Sequence, residues 1–470
     1  MSRESRLAKN TIILSIGTFL PKLAAFITLP ILTGCLTQAE YGTYDLITVL
    51  VSLVLPAATL QIQTAAFRYL IDVRNEEAEI RKIVTNIFAF IIPISLIVLF
   101  VLYACLPGED IEIKLWICAY FFADILVDSA RQIIRGLANN LVYSISAIIS
   151  AGGKMVFAVI GVWYLDAGLL GAVIALCLAS YLSLIYLVVK TKMYRCIDVS
   201  VISKRTLKEL IGYSWPMVPN SMSMWVMRVS DRFIVTLFMG VSANAVYSVA
   251  NKIPSILTLA QSTFTMAWQE NAASVSKDDD ADAYYTSMFK MMYDLTAGFF
   301  GILITATPVL FVLLIRGDYI EAYNQIPVLF LGMFFFSMSS FLGGIYVAYK
   351  ATRSVGVTTI IAAASNLIID LIMIRWIGLY AASGSTLISY LLLFVFRLKN
   401  VQQYVHLKYD LKHIICVLLI MMFESILCFC QNIFLNFINM GIAGIVFFLL
   451  NKSFVRSVWK AFMNKVHVRY

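Results

Sequence analysis

Fourteen apolar stretches, each long enough to cross a bilayer, run through this chain, and its positive charges fall almost entirely in every second gap between them. A helix needs about 20 apolar residues to span the hydrocarbon core. The stretches cover 11–35, 43–67, 83–106, 115–134, 141–165, 167–189, 211–238, 244–268, 288–315, 325–348, 355–374, 378–396, 411–430 and 433–451. The amino terminus, every second loop after it and the carboxyl tail together hold 28 of the 36 lysines and arginines, and the alternate loops hold Lys114, Arg316 and Arg375. Basic loops stay on the cytoplasmic side, so both termini are expected there. One span more or fewer would scramble the alternation. The expected fold class is therefore all-α integral membrane, with about 14 transmembrane helices.

Composition supports this. Only 13% of the 470 residues are charged, against about 25% for a soluble domain. The net charge of +9 does not point to nucleic acid, because the basic residues line one membrane face, where anionic headgroups attract them. The eight cysteines are scattered, with no CxxC pair, and behave as small apolar residues. The three histidines lie in or near cytoplasmic segments. Neither a metal site, a cofactor nor a cleavable signal is expected. The longest outside loops, 107–114 and 316–324, are too short for a catalytic domain, so the protein is expected to be a transporter rather than an enzyme.

The chain echoes itself. Tyr41-Gly42-Thr43-Tyr44 is matched by Asn244-Ala245-Val246-Tyr247, Gly168-Leu169-Leu170-Gly171-Ala172 by Gly378-Leu379-Tyr380-Ala381-Ala382, and Ile148-Ile149 by Ile360-Ile361, which sets Lys154 opposite Asn366. Offsets of 203–212 residues suggest a duplicated six-span unit. Six is even, so the repeat is parallel. The expected division is a six-helix lobe over 1–200, a second over 201–402, and two extra helices with a basic tail over 403–470. Pro21 and Pro30 interrupt the lead helix of the first lobe, and Pro216 and Pro219 that of the second. Each removes a backbone hydrogen bond and kinks a helix, as a static bend or as a hinge.

Five basic residues lie inside spans: Lys22, Lys154, Arg228, Arg232 and Lys252. A charge at that depth costs about 2.5–3.5 kcal/mol on insertion scales and usually faces a cavity or a partner. Arg228, Asp231 and Arg232 stand at i, i+3 and i+4, on one face with Trp225, and Asp231 can neutralise one arginine. These five cations are the candidate substrate-binding set. Arginine suits phosphate through its bidentate fork. The candidate supporting or coupling residues are Arg68 at the inner end of span 2, Asp231, Asp294, Asp370, Asn220, Trp225 and Trp268. Arg68 reads first as a headgroup anchor, Asp370 as a partner for a basic neighbour, and the aromatics as ordinary membrane packing.

Several motifs sharpen the picture. Tyr213-Ser214-Trp215-Pro216 with Pro219-Asn220-Ser221, Ser230-Asp231-Arg232-Phe233-Ile234, Tyr247-Ser248-Val249-Ala250-Asn251-Lys252-Ile253-Pro254 and Ala267-Trp268-Gln269 resemble the Wzx-type, polysaccharide-transporter branch of the multidrug/oligosaccharidyl-lipid/polysaccharide exporter superfamily. Lys9-Asn10, Gly17, Pro30, Leu36 and Tyr41-Gly42-Thr43-Tyr44 fit too, with Thr37 where the family more often has glycine. The resemblance implies two lobes around a central cavity and a bacterial plasma-membrane location. It implies export of undecaprenyl-pyrophosphate-linked oligosaccharide units by alternating access, for surface polysaccharide. Membrane lipids, a coupling H+ or Na+, a polysaccharide polymerase and glycosyltransferases are the implied partners. Related fourteen-helix flippases use the extra pair as a lipid-tail groove, and the tail Asn451–Tyr470 looks like a basic amphipathic helix. The alternative is a drug/cation antiporter of the multidrug branch, which often carries an acid in its first helix, where this chain carries Lys22.

Overall fold

A computed structural model describes the backbone of residues 3–106, 110–255, 257–276, 278–349, 351–452 and 455–456. Within these, the side chains of 3–15, 220, 223–224, 227–228, 258–260, 262–263, 266–267, 270, 274 and 352 are not described. The chain forms two compact units, Met1–Phe233 and Ile234–Tyr470, and no strand occurs among the described residues.

The first unit holds α1 (Arg3–Cys35), α2 (Gln38–Thr59), α3 (Ile62–Asp72), α4 (Glu77–Cys105), α5 (Ile111–Gly136), α6 (Asn140–Ala158), α7 (Gly168–Thr191), α8 (Lys204–Ser214) and most of α9 (Met217–Met239). Pro21 and Pro30 lie inside α1. Thr37 starts α2 through a capping box: its hydroxyl accepts from the Glu40 N–H at 3.3 Å, and the Glu40 carboxylate accepts from the Thr37 N–H at 2.9 Å. Two orphan amides of the helix end are thereby satisfied. The other Glu40 oxygen accepts from the Leu169 N–H at 3.2 Å, tying α2 to the start of α7. Thr37 therefore supplies a cap that glycine would lack.

The stretch expected as one span over 43–67 is two helices. Leu60 and Gln61 take left-handed backbone angles, φ 47° and 57°, and break α2 from α3. Beyond α6 the chain continues as a π-helical turn, Val159–Tyr164. There Gly161 and Gly171 face each other so closely that a Cβ on Gly161 would sit 2.9 Å from the Gly171 carbonyl oxygen. The core of this unit is apolar: Ile62, Ala66 and Leu70 of α3 meet Ile87 and Ile91 of α4 and Ile133 and Ile134 of α5, with Leu187 and Leu210 closing it. The α8 helix packs on α3 and α4, which is why residues beyond 200 belong to this unit.

The second unit holds α10 (Val241–Ser255), α11 (Leu257–Val275), α12 (Ala281–Thr305), α13 (Thr307–Leu314), α14 (Ile320–Ala348), α15 (Thr352–Ile377), α16 (Leu379–Asn400), α17 (Leu411–Phe429) and α18 (Ile433–Leu450). α14 is its central post, with most of its side chains buried. It packs on α10, α11, α12 and α16, and α12 carries the α17–α18 pair. The expected span 244–268 falls on α10 and α11, and 288–315 on α12 and α13.

Eleven described helices are long and apolar enough to cross a membrane. The other three expected spans, 115–134, 211–238 and 244–268, correspond to α5, α9 and the α10–α11 pair, the elements that carry most of the in-span charge. The π-helical turn after α6 exposes Trp163 and Tyr164, and the C-terminal end of α15 exposes Trp376. Aromatic residues concentrate at membrane–water interfaces. Most of the tail expected as an amphipathic helix lies outside the described residues.

Candidate functional site

The polar residues of α2 and α9 meet along one seam of the first unit. Both oxygens of Asp45 accept from Arg232 Nη1, at 3.0 and 3.1 Å. Two turns along each helix, the Trp225 indole N–H donates to the Ser52 hydroxyl at 3.1 Å. Farther on, the Gln61 amide donates to the Ser221 hydroxyl at 3.2 Å. Asp45 and Ser52 are seven residues apart on α2, and Trp225 and Arg232 seven apart on α9, so an antiparallel register brings both pairs together. The Trp225 ring also rests against Phe233, 5.2 Å between centroids.

The Asp45–Arg232 pair is desolvated, with side-chain exposures of 1% and 14%. Charges removed from water need a partner and further hydrogen bonds. Asp45 joins the stripe expected from sequence. With Asp231, itself 7% exposed, it brings the formal charge of Arg228, Asp231, Arg232 and Asp45 to zero. Asp45 thus occupies Nη1 of the Arg232 guanidinium.

The other expected residues are dispersed. Lys22 is exposed on α1, next to Pro21. Lys154 is half-buried on α6, with its ammonium 5.4 Å from the centre of the Tyr120 ring, a cation–π contact. Lys252 is half-buried on α10, two residues before Pro254. The side chains of Arg228 and Asn220 lie outside the described residues. Arg68 is exposed and bonded to Asp72 at 2.7 Å, one helical turn away on α3. Asp370 is fully buried on α15, one turn from Asn366, whose amide donates to Ser385 and Thr386.

Trp268 is held in the core of the second unit. Its indole N–H donates to the Phe341 carbonyl at 2.8 Å, and its ring stacks on Phe341 at 4.3 Å. Asp294 meets a residue that sequence reasoning left aside: its carboxylate lies 2.6 Å from His413 Nε2. Asn451 donates to the Asp294 carbonyl at 3.1 Å, so α12, α17 and the end of α18 are joined there.

Two arginines counted with the cytoplasmic loops are structural. Arg131 donates to the hydroxyl and carbonyl of Ser146 and to the Ser183 hydroxyl, knitting α5, α6 and α7. Arg397, 6% exposed, donates to the Ser339 carbonyl at 2.6 Å and to the Thr358 and Thr359 hydroxyls, knitting α14, α15 and α16. Among the described residues no group of three metal-ligating side chains converges.

The helical architecture is shared with solved transporters of the multidrug/oligosaccharidyl-lipid/polysaccharide exporter (MOP) superfamily. The solved structure of the lipid II flippase MurJ in an inward closed conformation aligns with a TM-score of 0.67 at 15% identity, covering 95% of this chain and 99% of that one. An inward-facing multidrug resistance MATE family transporter of the MOP superfamily aligns at 0.66 and 14% identity, covering 84% of this chain and 98% of that one. A MOP superfamily transporter from Pyrococcus furiosus, described as having a binding pocket of reverse polarity, aligns at 0.51 and 14% identity, covering 84% and 95%. A search of curated proteins finds no match. The family model described as "Polysaccharide biosynthesis protein" matches residues 7–269. The chain belongs to that family.

Proposed function

We propose that this protein flips undecaprenyl-pyrophosphate-linked oligosaccharide units from the inner to the outer leaflet of a bacterial plasma membrane, by alternating access, for surface polysaccharide synthesis. The family match carries the polysaccharide part of this reading. The lipid-linked part is supported by coverage. The flippase alignment takes in 95% of the chain and the multidrug alignment 84%, a difference of about the size of the α17–α18 region. The anionic headgroup is supported by Lys22, Lys154, Arg228, Arg232 and Lys252, basic residues set well within spans.

In this reading the Arg232 guanidinium exchanges its carboxylate partner. Asp45 holds it with two short bonds and keeps a buried cation compensated while substrate is absent. A pyrophosphate offers paired anionic oxygens with more charge, which the guanidinium can hold through two N–H groups, and Arg232 returns to Asp45 on release. Asp294 and Asp370 are the candidate groups for a coupling H+ or Na+. Lys22 in the lead helix, where the multidrug branch often has an acid, argues against a drug cation as substrate.

The test is a deletion strain. Lipid-linked oligosaccharide should accumulate on the cytoplasmic leaflet and surface polysaccharide should disappear, with both restored by the wild-type gene. Normal surface polysaccharide accompanied by heightened drug sensitivity would favour the antiporter instead.

A further inference from the structure

Glu424 lies in the C-terminal half of α17 and is 1% exposed. Neither of its carboxyl oxygens has a hydrogen-bond partner. The polar groups nearby do not supply one. The Asn439 amide N–H groups go to the Glu424 backbone carbonyl at 2.8 Å and to Cys428 Sγ at 3.5 Å, and Asn439 Oδ1 is itself a buried acceptor without a donor. Asn436, one turn away on α18, has its Oδ1 in the same condition. On the facing side α12 presents Gly301, where a Cβ would stand 2.8 Å from Glu424 Oε2. The carboxyl therefore rests directly on the bare backbone of α12.

An ionised carboxylate in such a place would be desolvated with no donor, and a charge so placed neutralises instead. A calcium or magnesium ion would need six or more oxygens around it, and the contact with Gly301 closes one side of the group. A proton needs only the carboxyl itself, and the neutral acid removes the uncompensated charge. We propose that Glu424 is a proton-binding site of the accessory helix pair: the acid is neutral while α17 lies on Gly301 of α12, and it releases its proton to water when that contact opens. That the released proton is coupled to transport rests on the function proposed above; the presence of the proton does not.

The surrounding titratable groups leave this assignment standing. On α12, Tyr293 and Asp294 lie about two turns before Gly301, and Asp294 is engaged by His413. His413 is eleven residues before Glu424 on α17, about 16 Å along the helix. On α14, Tyr323 donates to the Cys428 carbonyl at 3.2 Å, and Glu321 is exposed. On α17 the nearest other group is Cys428, which donates to the Ile304 carbonyl. Between Asn432 and Asn451, α18 carries no titratable residue.

The experiment uses the full chain in lipid nanodiscs, with infrared spectra of wild type, Glu424→Gln and Gly301→Ala. At neutral pH the wild type should show a protonated-carboxyl C=O band that E424Q lacks. In G301A, whose added methyl pushes the carboxyl away from α12, the band should shift and give way to carboxylate at lower pH. Hydrogen exchange should show α17 and α18 losing protection in wild type as the pH is raised, after correction for intrinsic rates, and no such change in E424Q. A carboxylate band for Glu424 at neutral pH, or a band unmoved by G301A, would overturn the proposal. In proteoliposomes E424Q should keep transport but lose its response to a pH gradient; an unchanged response would remove Glu424 from coupling. Absence of transport in the wild type would count against the proposed function, and the infrared band would still be read.

Discussion

Removing the carboxylate of Asp45 should destabilise the first unit strongly, and removing Arg232 as well should restore part of the loss. Arg232 Nη1 lies 3.0 Å and 3.1 Å from the two Asp45 oxygens, in a site where the acid is 1% exposed. Unit charges about 4 Å apart at an effective dielectric near 20 attract by about 4 kcal/mol. Stripping one partner from a buried pair costs about 3–5 kcal/mol, because the other charge is left uncompensated. Asp45→Ala and Arg232→Ala should each lose stability on that scale. The double variant should lose less than their sum, by a coupling of about 2–3 kcal/mol. The assay is reversible unfolding in mixed micelles for wild type, both single variants and the double. Additive losses, with coupling below about 0.5 kcal/mol, would refute the claim that these groups compensate each other.

Other expectations follow from the same geometry. Arg232→Lys should retain only part of the export activity of wild type, because it keeps the charge and loses the fork, while the Arg228→Ala/Arg232→Ala variant should export little yet reach the membrane; full export by the double variant would remove the pair from the mechanism. Thr37→Ala should cost about 1 kcal/mol of stability and Thr37→Gly only a few tenths, since glycine is tolerated at a helix N-cap; thermal unfolding in detergent measures both. Single cysteines placed at 107–114 and 316–324 should label from outside, and those at 190–205 only after permeabilisation; one reversed loop would overturn the expected topology.

The helices were legible because apolar length is written in the sequence, and the three expected spans that fail an apolar criterion are those carrying Asp128, Arg228 and Lys252. Their breaks were not. Leu60 and Gln61 are neither glycine nor proline, yet both are left-handed, so local propensity gave no warning beyond Pro56. Half of the α2–α9 seam was legible: the i, i+3, i+4 spacing marked Arg228, Asp231 and Arg232. Asp45, an acid within span 2, was the available signal for the other half, but its partner stands 187 residues away. Charge counting also misplaced Arg397, which looks like a loop cation and is a buried link among three helices. Trp268 was one of the supporting candidates that also read as packing, and the fold packs it on Phe341. Glu424 was visible as an in-span acid, but its lack of any donor is a property of how α12, α17 and α18 pack, which no spacing encodes.

The most direct test of the central claim is transport by the purified protein in proteoliposomes that carry a polyprenyl-pyrophosphate-linked oligosaccharide in one leaflet, with the membrane potential clamped by potassium and valinomycin. An anion moving outward from a negative interior gains about 2.3 kcal/mol per charge per 100 mV. The account predicts protein-dependent appearance of the sugar in the opposite leaflet, faster when the potential favours outward movement of the anion and lost in the Arg228→Ala/Arg232→Ala variant. Equal rates with and without the protein, or movement of a drug cation but not of the lipid-linked sugar, would contradict it.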